Sequence, residues 1–112
     1  MRINTRQKKD VAVVELIGDM QIGAGDVDFR RTIQQLLAQG SRNILIDMAG
    51  LRSMDSSGLG ELVRSRATAA TAGATIKLLH VEDEVHRILK MTQLIGVFET
   101  FDDEIDAIQS FG

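Results

Sequence analysis

Cysteine and proline are both missing from this 112-residue chain, and its apolar runs are short. Without cysteine there can be no disulfide, no thiolate metal site and no cysteine nucleophile. The longest apolar run, Val11–Val14, is far too short to cross a bilayer. The N-terminal residues lack the apolar core of a signal peptide, so we expect a cytoplasmic protein without membrane insertion. The absence of proline fits a compact order of elements joined by short loops.

Aromatic residues and basic charge are also scarce. There is no tryptophan, no tyrosine and only 4 phenylalanines, and 13 lysines and arginines stand against 16 acids, for a net charge of −3. Nucleic-acid-binding domains usually have a basic surface with exposed aromatic side chains for stacking. We therefore expect no nucleic acid among the partners. The length and the ordinary composition predict one folded domain over residues 1–112.

Motifs of the common enzyme classes are absent as well. Gly23-Ala24-Gly25 is followed by Asp28 where a dinucleotide-binding fingerprint has its third glycine, and no phosphate-binding loop or G-x-S-x-G elbow occurs. A metal site on His86 with Glu82 or Asp83 is conceivable. Zinc, however, needs three or four converging ligands, so we favour the interpretation that these residues form a solvated helix start. The sequence therefore predicts a protein that is not an enzyme and needs no metal or cofactor.

Short apolar segments alternate with segments of helical periodicity, which favours an α/β sheet covered by helices. The predicted strands are Ile3–Lys9, Val11–Ile17, Ile44–Asp47, Ile76–Val81 and Val97–Phe101. The predicted helices begin with capping by Asp26, near Gly58, near Glu82 and with capping by Asp102, and Met48–Asp55 is predicted to be a loop. The helix side chains predicted to face inward are Phe29, Ile33, Leu36, Leu37, Leu59, Leu62, Val63, Ala67, Ala70, Val85, Ile88, Leu89, Ile105, Ile108 and Phe111.

The most informative stretch is Met54–Gly60, which reads Met-Asp-Ser-Ser-Gly-Leu-Gly at the predicted start of the second helix. Free N–H groups and the positive end of the helix dipole make such a start receptive to a phosphate. A serine there can cap the helix, accept a phosphoryl group, or do both. Glycines inside a helix cost stability, and here they suggest a bare surface that another protein can approach.

Four residues near this helix start have structural interpretations. Asp55 either assists phosphorylation, by orienting the Ser56 hydroxyl or by helping its metal-bound phosphate donor, or is a plain loop or capping carboxylate, and the sequence leaves both interpretations open. Ser57 is the residue that we expect to be the structural cap. Leu59 and Leu62 are expected to lie in the core.

The stretch Asn43–Gly60 resembles the signature of STAS domains, in particular that of the bacterial anti-sigma factor antagonists. Members carry an apolar strand, a short D-x-x-x-L loop and then D-S-[ST]-G-L-G, which Asp47–Leu51 and Asp55–Gly60 match. The likeness continues through downstream apolar positions, which are Val81, Val85, Ile88, Leu89 and Leu94. It implies a single STAS domain over residues 1–112: an α/β fold with a small mixed β-sheet of about five strands, helices packed against it, and a serine at the N-terminus of the second helix.

The resemblance also implies a switch that works through protein binding. In the family, an anti-sigma factor that is also a serine kinase phosphorylates the serine directly after the aspartate, which is Ser56 here. The unmodified antagonist binds the anti-sigma factor and so releases a sigma factor; the phosphorylated form dissociates, and a serine phosphatase restores it. The amides of residues 57–60 are expected to shelter the phosphate. The positions expected to surround the phosphorylation site and to bind the partner are Asp55, Ser57, Gly58, Leu59, Gly60 and Gln21.

One position departs from the family pattern. Antagonists often read G-E-L-D after the second strand, with the final acid near the phosphorylated serine, whereas this chain reads Gly18-Asp19-Met20-Gln21. The neutral Gln21 favours an alternative, a constitutive STAS scaffold or a subunit of a signalling or lipid-transport complex. A small-ligand or enzymatic domain would need a pocket with converging polar groups, for which the sequence offers only Asp55 and Ser56.

Overall fold

The computed structural model describes residues 1–23 and 25–112; Ala24, in the predicted glycine-containing loop, lies outside the described residues. The strands are β1 Arg2–Lys8, β2 Val11–Met20, β3 Asn43–Met54, β4 Thr75–Leu79 and β5 Thr100–Phe101. The helices are α1 Asp26–Ala38, α2 Ser56–Thr71, α3 Asp83–Met91 and α4 Glu104–Ser110, with a turn of 3-10 helix at Ile95–Val97. The predicted α/β fold is confirmed.

The strands form one mixed sheet in the order β1-β2-β3-β4-β5. β1 pairs with β2 in antiparallel fashion, and the remaining neighbours are parallel. The central strands β2 and β3 are rich in valine, isoleucine and leucine because parallel strands are covered on both faces. β2 and β3 end side by side, with Met20 paired to Met54, and this end of the sheet carries the start of α2.

Both central strands are longer than the sequence predicts. β2 continues past Gly18 to Met20, and β3 includes residues 48–54, so the predicted loop Met48–Asp55 is wrong. The ladder between β2 and β3 shifts register between Glu15 and Ile17 and again between Gly18 and Asp19. Such irregularities break the alternation of apolar and polar side chains by which a strand is found in a sequence.

The buried face of α2 differs from the predicted one. Its buried residues are Gly58, Glu61, Leu62, Ser65 and Ala69. Leu59 and Val63 are half-buried, whereas Ala67 and Ala70 are exposed and not inward-facing. The helix lies with polar residues inward because those residues have partners: the Ser65 hydroxyl donates to the Leu62 carbonyl at 2.6 Å. The prediction from hydrophobicity alone therefore assigned the wrong residues to the buried face of α2.

The C-terminal elements also differ from the prediction. β5 is only Thr100–Phe101, because the chain before it turns through the 3-10 helix. Asp103, not Asp102, caps α4, with its carboxylate accepting from the Asp106 amide at 3.0 Å. Ile105 is 65% exposed, and the inward position of α4 is Ala107 instead.

The α1 start shows a smaller difference. Gly25 occupies the N-cap position and Asp26 is the first helical residue. The Asp26 carboxylate nevertheless holds the loop, accepting from the amides of Gly23 at 3.0 Å and Val27 at 2.8 Å.

The two faces of the sheet are covered unequally. α1, α2 and α3 pack on one face over the larger apolar cluster, which includes Phe29, Ile33, Leu62, Val85 and Leu89. On the other face, α4 covers a smaller cluster, which consists of Val11, Val13, Leu45, Leu79 and Ala107. Among the described residues, every helix is too short or too polar to traverse a lipid bilayer.

Candidate functional site

The site lies where β3 passes into α2, beside the end of β2. The Asp55 amide donates to the Met20 carbonyl at 3.2 Å, which ties the entry of α2 to the end of the neighbouring strand. The carboxyl ends of parallel strands are where open α/β sheets usually bind ligands and partners. The topology therefore presents Asp55–Gly60 at an edge that other molecules can reach.

Asp55 is the cap of α2. Its Oδ1 accepts from the Gly58 amide at 2.9 Å, and its Oδ2 accepts from the Ile22 amide at 3.0 Å. These backbone hydrogen bonds, Gly58 first and Ile22 second, lower the pKa of the Asp55 carboxyl below its ordinary value. Of the two open interpretations, capping is therefore the geometry observed, and the expectation that Ser57 is the cap is wrong.

Ser56 is the first residue of α2 and its side chain is exposed, whereas Ser57 is half-buried. Within the described residues, the Ser56 hydroxyl has no side-chain hydrogen bond to Asp55 or to any other group. The following turn is already fixed, because the Leu59 amide donates to the Asp55 carbonyl at 2.9 Å. The hydroxyl thus sits free on a rigid helix start.

The glycines of the motif differ in their surroundings. Gly58 is buried, and a Cβ there would overlap the Met20 carbonyl oxygen and lie 3.0 Å from the Met20 Cγ. Gly60 is half-buried, and a Cβ there would meet only the end of the Arg64 side chain, at 3.4 Å. Gly58 therefore allows close packing of α2 on β2 and does not form the bare surface that the sequence suggests.

The geometry limits which amides of the expected shelter are open to a phosphate. The amide of Gly58 is engaged by the Asp55 carboxylate, and that of Leu59 by the Asp55 carbonyl. An anion on Ser56 would find these donors occupied and a carboxylate beside it, so we expect it to project into solvent instead of folding back onto the helix.

Gln21 lies next to this helix start and belongs to a small polar network. Its Nε2 donates to the Ser53 hydroxyl at 3.4 Å, and that hydroxyl donates to Asp19 Oδ1 at 2.7 Å. Arg52 pairs with Asp19 Oδ2 at 2.8 Å. The Ser53 hydrogen bond, with a further contribution from Arg52, lowers the pKa of Asp19. Sequence reasoning missed Asp19, Arg52 and Ser53 as site residues because it placed residues 52 and 53 in a loop.

The sequence as a whole matches a known protein family. The family model described as the STAS domain matches residues 2–107 of the chain. The chain belongs to the STAS domain family.

The relatives of this STAS domain include named regulators of sigma factors. The anti-sigma F factor antagonist of Paenibacillus polymyxa is 24% identical over 108 residues, covering 96% of this chain and 92% of the relative. A candidate anti-sigma factor antagonist from Thermotoga maritima has a crystal structure with a TM-score of 0.87 at 20% identity, covering 96% of this chain and 92% of that one. Unphosphorylated SpoIIAA, an anti-sigma factor antagonist also solved in its phosphorylated form from Bacillus, has a TM-score of 0.75 at 19% identity, covering 98% and 97%. At these identities the structural likeness establishes the fold.

Two exposed apolar side chains lie in the segment between β2 and the first turn of α1. Ile22, whose amide binds Asp55, is 75% exposed, and Val27 in the first turn of α1 is 40% exposed. Apolar side chains next to polar groups are typical of surfaces that bind proteins. Sequence periodicity could not identify Ile22 as a candidate site residue, because it is an isolated apolar residue in a loop.

No histidine, aspartate or glutamate cluster of metal-binding size is found in residues 1–23 and 25–112. His86 is exposed near the start of α3. Around Ser56, the structure places an exposed hydroxyl at the start of α2, beside the loop that carries the exposed Ile22.

Proposed function

We propose that this STAS domain is an anti-sigma factor antagonist whose binding surface is centred on Ser56. The partner is an anti-sigma factor with serine kinase activity, and binding of the unmodified domain releases a sigma factor in the cytoplasm. The observation that carries the proposal is the free, exposed Ser56 hydroxyl on the first residue of a helix that Asp55 holds in place. The named relatives support the same class of function.

The modification is a phosphoryl transfer from ATP to the Ser56 oxygen. The kinase removes the hydroxyl proton, the new P–O bond forms on Ser56, and ADP leaves. This domain is the substrate in that reaction and not the catalyst. Asp55 acts as a positioning residue, because both of its carboxylate oxygens hold backbone amides. A serine phosphatase reverses the step by hydrolysing the ester.

The phosphate acts on the complex and leaves the fold intact. It adds about −1.5 to −2 charges at an exposed position where the amides of Gly58 and Leu59 are already used. A partner packed over Ser56 would bury that charge without a counter-charge, which costs several kcal/mol. A loss of about 3–4 kcal/mol weakens binding a few hundredfold.

Gln21 tunes the recognition surface in this proposal. Its neutral carboxamide binds Ser53 and keeps the side chain beside the cap without adding negative charge. We expect a kinase that acts on this chain to lack a basic group directed at this position. Gln21→Asp should then leave phosphorylation unchanged or slow it, not accelerate it.

The test uses an anti-sigma factor with serine kinase activity from the same organism, ATP and mass spectrometry. We expect a single phosphate on Ser56, none on Ser56→Ala, and normal modification of the matched control Ser57→Ala. Calorimetry should show tight binding for the unmodified domain and for Ser56→Ala, with a loss of at least about a hundredfold for Ser56→Asp.

Two results contradict the proposal. Phosphate that persists in Ser56→Ala places the modification elsewhere. Binding that is insensitive to Ser56→Asp identifies a constitutive scaffold, which is the alternative function.

A further inference from the structure

The outer edge of β4 is only half covered. β5 pairs with β4 at Leu78 and Leu79 alone. The chain before β5 leaves the sheet, forming the 3-10 helix Ile95–Val97. The first half of β4 therefore has β3 on one side and no strand on the other.

Main-chain groups of Ile76 are directed at this uncovered edge. On the β5 side, the Leu78 amide donates to the Glu99 carbonyl at 3.0 Å, and the His80 amide donates to the Phe101 carbonyl at 2.9 Å. On the β3 side, the Thr75 amide donates to the Arg42 carbonyl at 2.9 Å. N–H groups of alternate residues point to opposite neighbours in a strand, so Ile76 faces the β5 side with Leu78 and His80. Within residues 1–23 and 25–112, no backbone hydrogen bond links Ile76 to the segment before β5.

A groove of about 220 Å³ runs along this edge. Arg66 and Ala70 of α2 form one wall, Val97 and Glu99 form the other, and Thr75 and Ile76 lie at its base. The small side chain of Ala70 leaves room above the strand, and the exposed Val97 adds an apolar surface. The groove thus combines unpaired main-chain groups of Ile76 with walls that are partly apolar and partly charged, an arrangement that can bind an added strand.

The charges at the groove are unequal. The Glu99 carboxylate pairs with the Lys77 ammonium at 3.3 Å. The Arg66 guanidinium forms no ion pair with any of the described acids. The groove therefore offers one free cation, which complements an acidic side chain.

We propose that this groove binds a short extended peptide segment of another protein, which adds a strand beside Thr75–Ile76 and places a carboxylate on Arg66. The segment is short, because only Thr75, Ile76 and Lys77 of β4 lack a β5 partner and each strand residue spans about 3.3 Å. Main-chain hydrogen bonds to Ile76 supply the affinity, and Arg66 with Ala70 selects an acidic residue flanked by small apolar ones.

This site is separate from the surface around Ser56. Ser56 begins α2 and Arg66 lies ten residues further along it, which corresponds to about 15 Å of helix. The two surfaces can therefore be occupied at the same time, and the proposal stands or falls independently of the proposed function.

The experiment is a two-dimensional NMR titration of the ¹⁵N-labelled domain with two blocked pentapeptides, acetyl-Ser-Val-Glu-Val-Ser-amide and its lysine counterpart. The acidic peptide should give saturable shifts at Ile76, Val97 and Arg66 in the millimolar range, and should slow hydrogen exchange of the Ile76 amide. The lysine peptide should bind at least tenfold more weakly. Ser56→Asp should leave the titration unchanged.

Matched helix variants locate the binding. Ala70→Glu fills the groove and repels the acid, so we expect at least a tenfold loss of affinity; Ala67→Glu, one turn away on the exposed surface, should bind normally. Shifts that map elsewhere, equal binding of both peptides, or no saturation overturn the proposal. Shifts at Ile76 that appear on raising the protein concentration alone indicate a second copy as the occupant, which overturns it as well.

Discussion

Single residues determine the geometry at the start of α2. Asp55 follows β3, and its carboxylate joins this point of the chain to two others: it caps α2 through Gly58 and holds the loop after β2 through Ile22. Gly58 brings the helix against the Met20 carbonyl at a separation that no side chain allows. The result is that Ser56, between them in sequence, is held in place without taking part in the packing.

The two glycines of the motif should respond in opposite ways to alanine. Gly58→Ala forces α2 away from β2 and should lower the free energy of unfolding by about 1–3 kcal/mol, as overpacking does. Gly60→Ala meets only the flexible end of Arg64 and should raise it by up to about 1 kcal/mol through helix propensity. Urea denaturation of both variants measures the difference. Equal effects would show that Gly58 has no packing role.

At this scale, the sequence predicted that Ser56 lies at the start of the second helix but not the hydrogen bonds around it. Ser56 was identified because a D-S-S-G-L-G stretch follows an apolar strand. The prediction that Ser57 caps the helix was wrong, because serine and aspartate are both favoured caps and the choice depends on where the helix begins. That start, at Ser56 instead of near Gly58, is fixed by the bond from the Asp55 amide to Met20 in a neighbouring strand.

Among the elements, α4 depends on polar contacts more than the other helices do. It contributes one buried side chain, Ala107, to the smaller cluster. Lys77 of β4 reaches it from beneath: its Nζ donates to the Ser110 carbonyl at 3.0 Å and to the Ser110 hydroxyl at 2.9 Å, and lies 4.7 Å from the centre of the Phe111 ring. Arg6 of β1 pairs with Glu104 at the other end of the helix.

Removing the Lys77 side chain should release α4 selectively. Lys77→Ala loses both hydrogen bonds to Ser110 and leaves space beneath the helix, so we expect a loss of about 2–4 kcal/mol in the free energy of unfolding. Hydrogen exchange should accelerate at Ala107 before it does in α1. The matched control, Lys90→Ala on the exposed face of α3, should change stability by less than about 0.5 kcal/mol. If hydrogen exchange accelerates equally in α1 and α4 of Lys77→Ala, the prediction that α4 is released selectively is wrong.

The elements that the sequence misjudged are those shaped by distant partners. The C-terminal half of β3 is a strand only because β2 extends beside it through two register shifts. Ala67 and Ala70 fit an apolar face by spacing, but Glu61 takes an inward position because Arg30 and Arg64 each bind its Oε1 at 3.0 Å. Ion pairs between separate helices leave no periodic trace in a sequence. The order of strands and helices, by contrast, follows from local periodicity and was predicted correctly.

The whole molecule has one strongly covered sheet face and one weakly covered face. Three helices enclose the larger cluster, while α4 and the partly buried Phe101, Ile108 and Phe111 cover the smaller one. Because burial of apolar area is the main source of stability, the side of α1, α2 and α3 should carry most of it. The candidate site around Ser56 lies on a helix of that stable side, so we expect the proposed phosphorylation to leave the fold intact.

Two isoleucines on helices of opposite faces test this asymmetry. Ile33 of α1 is 2% exposed in the larger cluster, and Ile108 of α4 is partly buried at the smaller one. Ile33→Ala should cost about 2–5 kcal/mol, a large share of the roughly 5–15 kcal/mol of a typical domain, whereas Ile108→Ala should cost less than about 2 kcal/mol. Because the substitution is the same and both sites are helical, helix propensity cancels in the comparison and the difference reports burial alone. If both variants lose the same free energy of unfolding in urea denaturation, α4 belongs to the cooperative core as fully as α1 does. The smaller cluster would then contribute as much stability as the larger one.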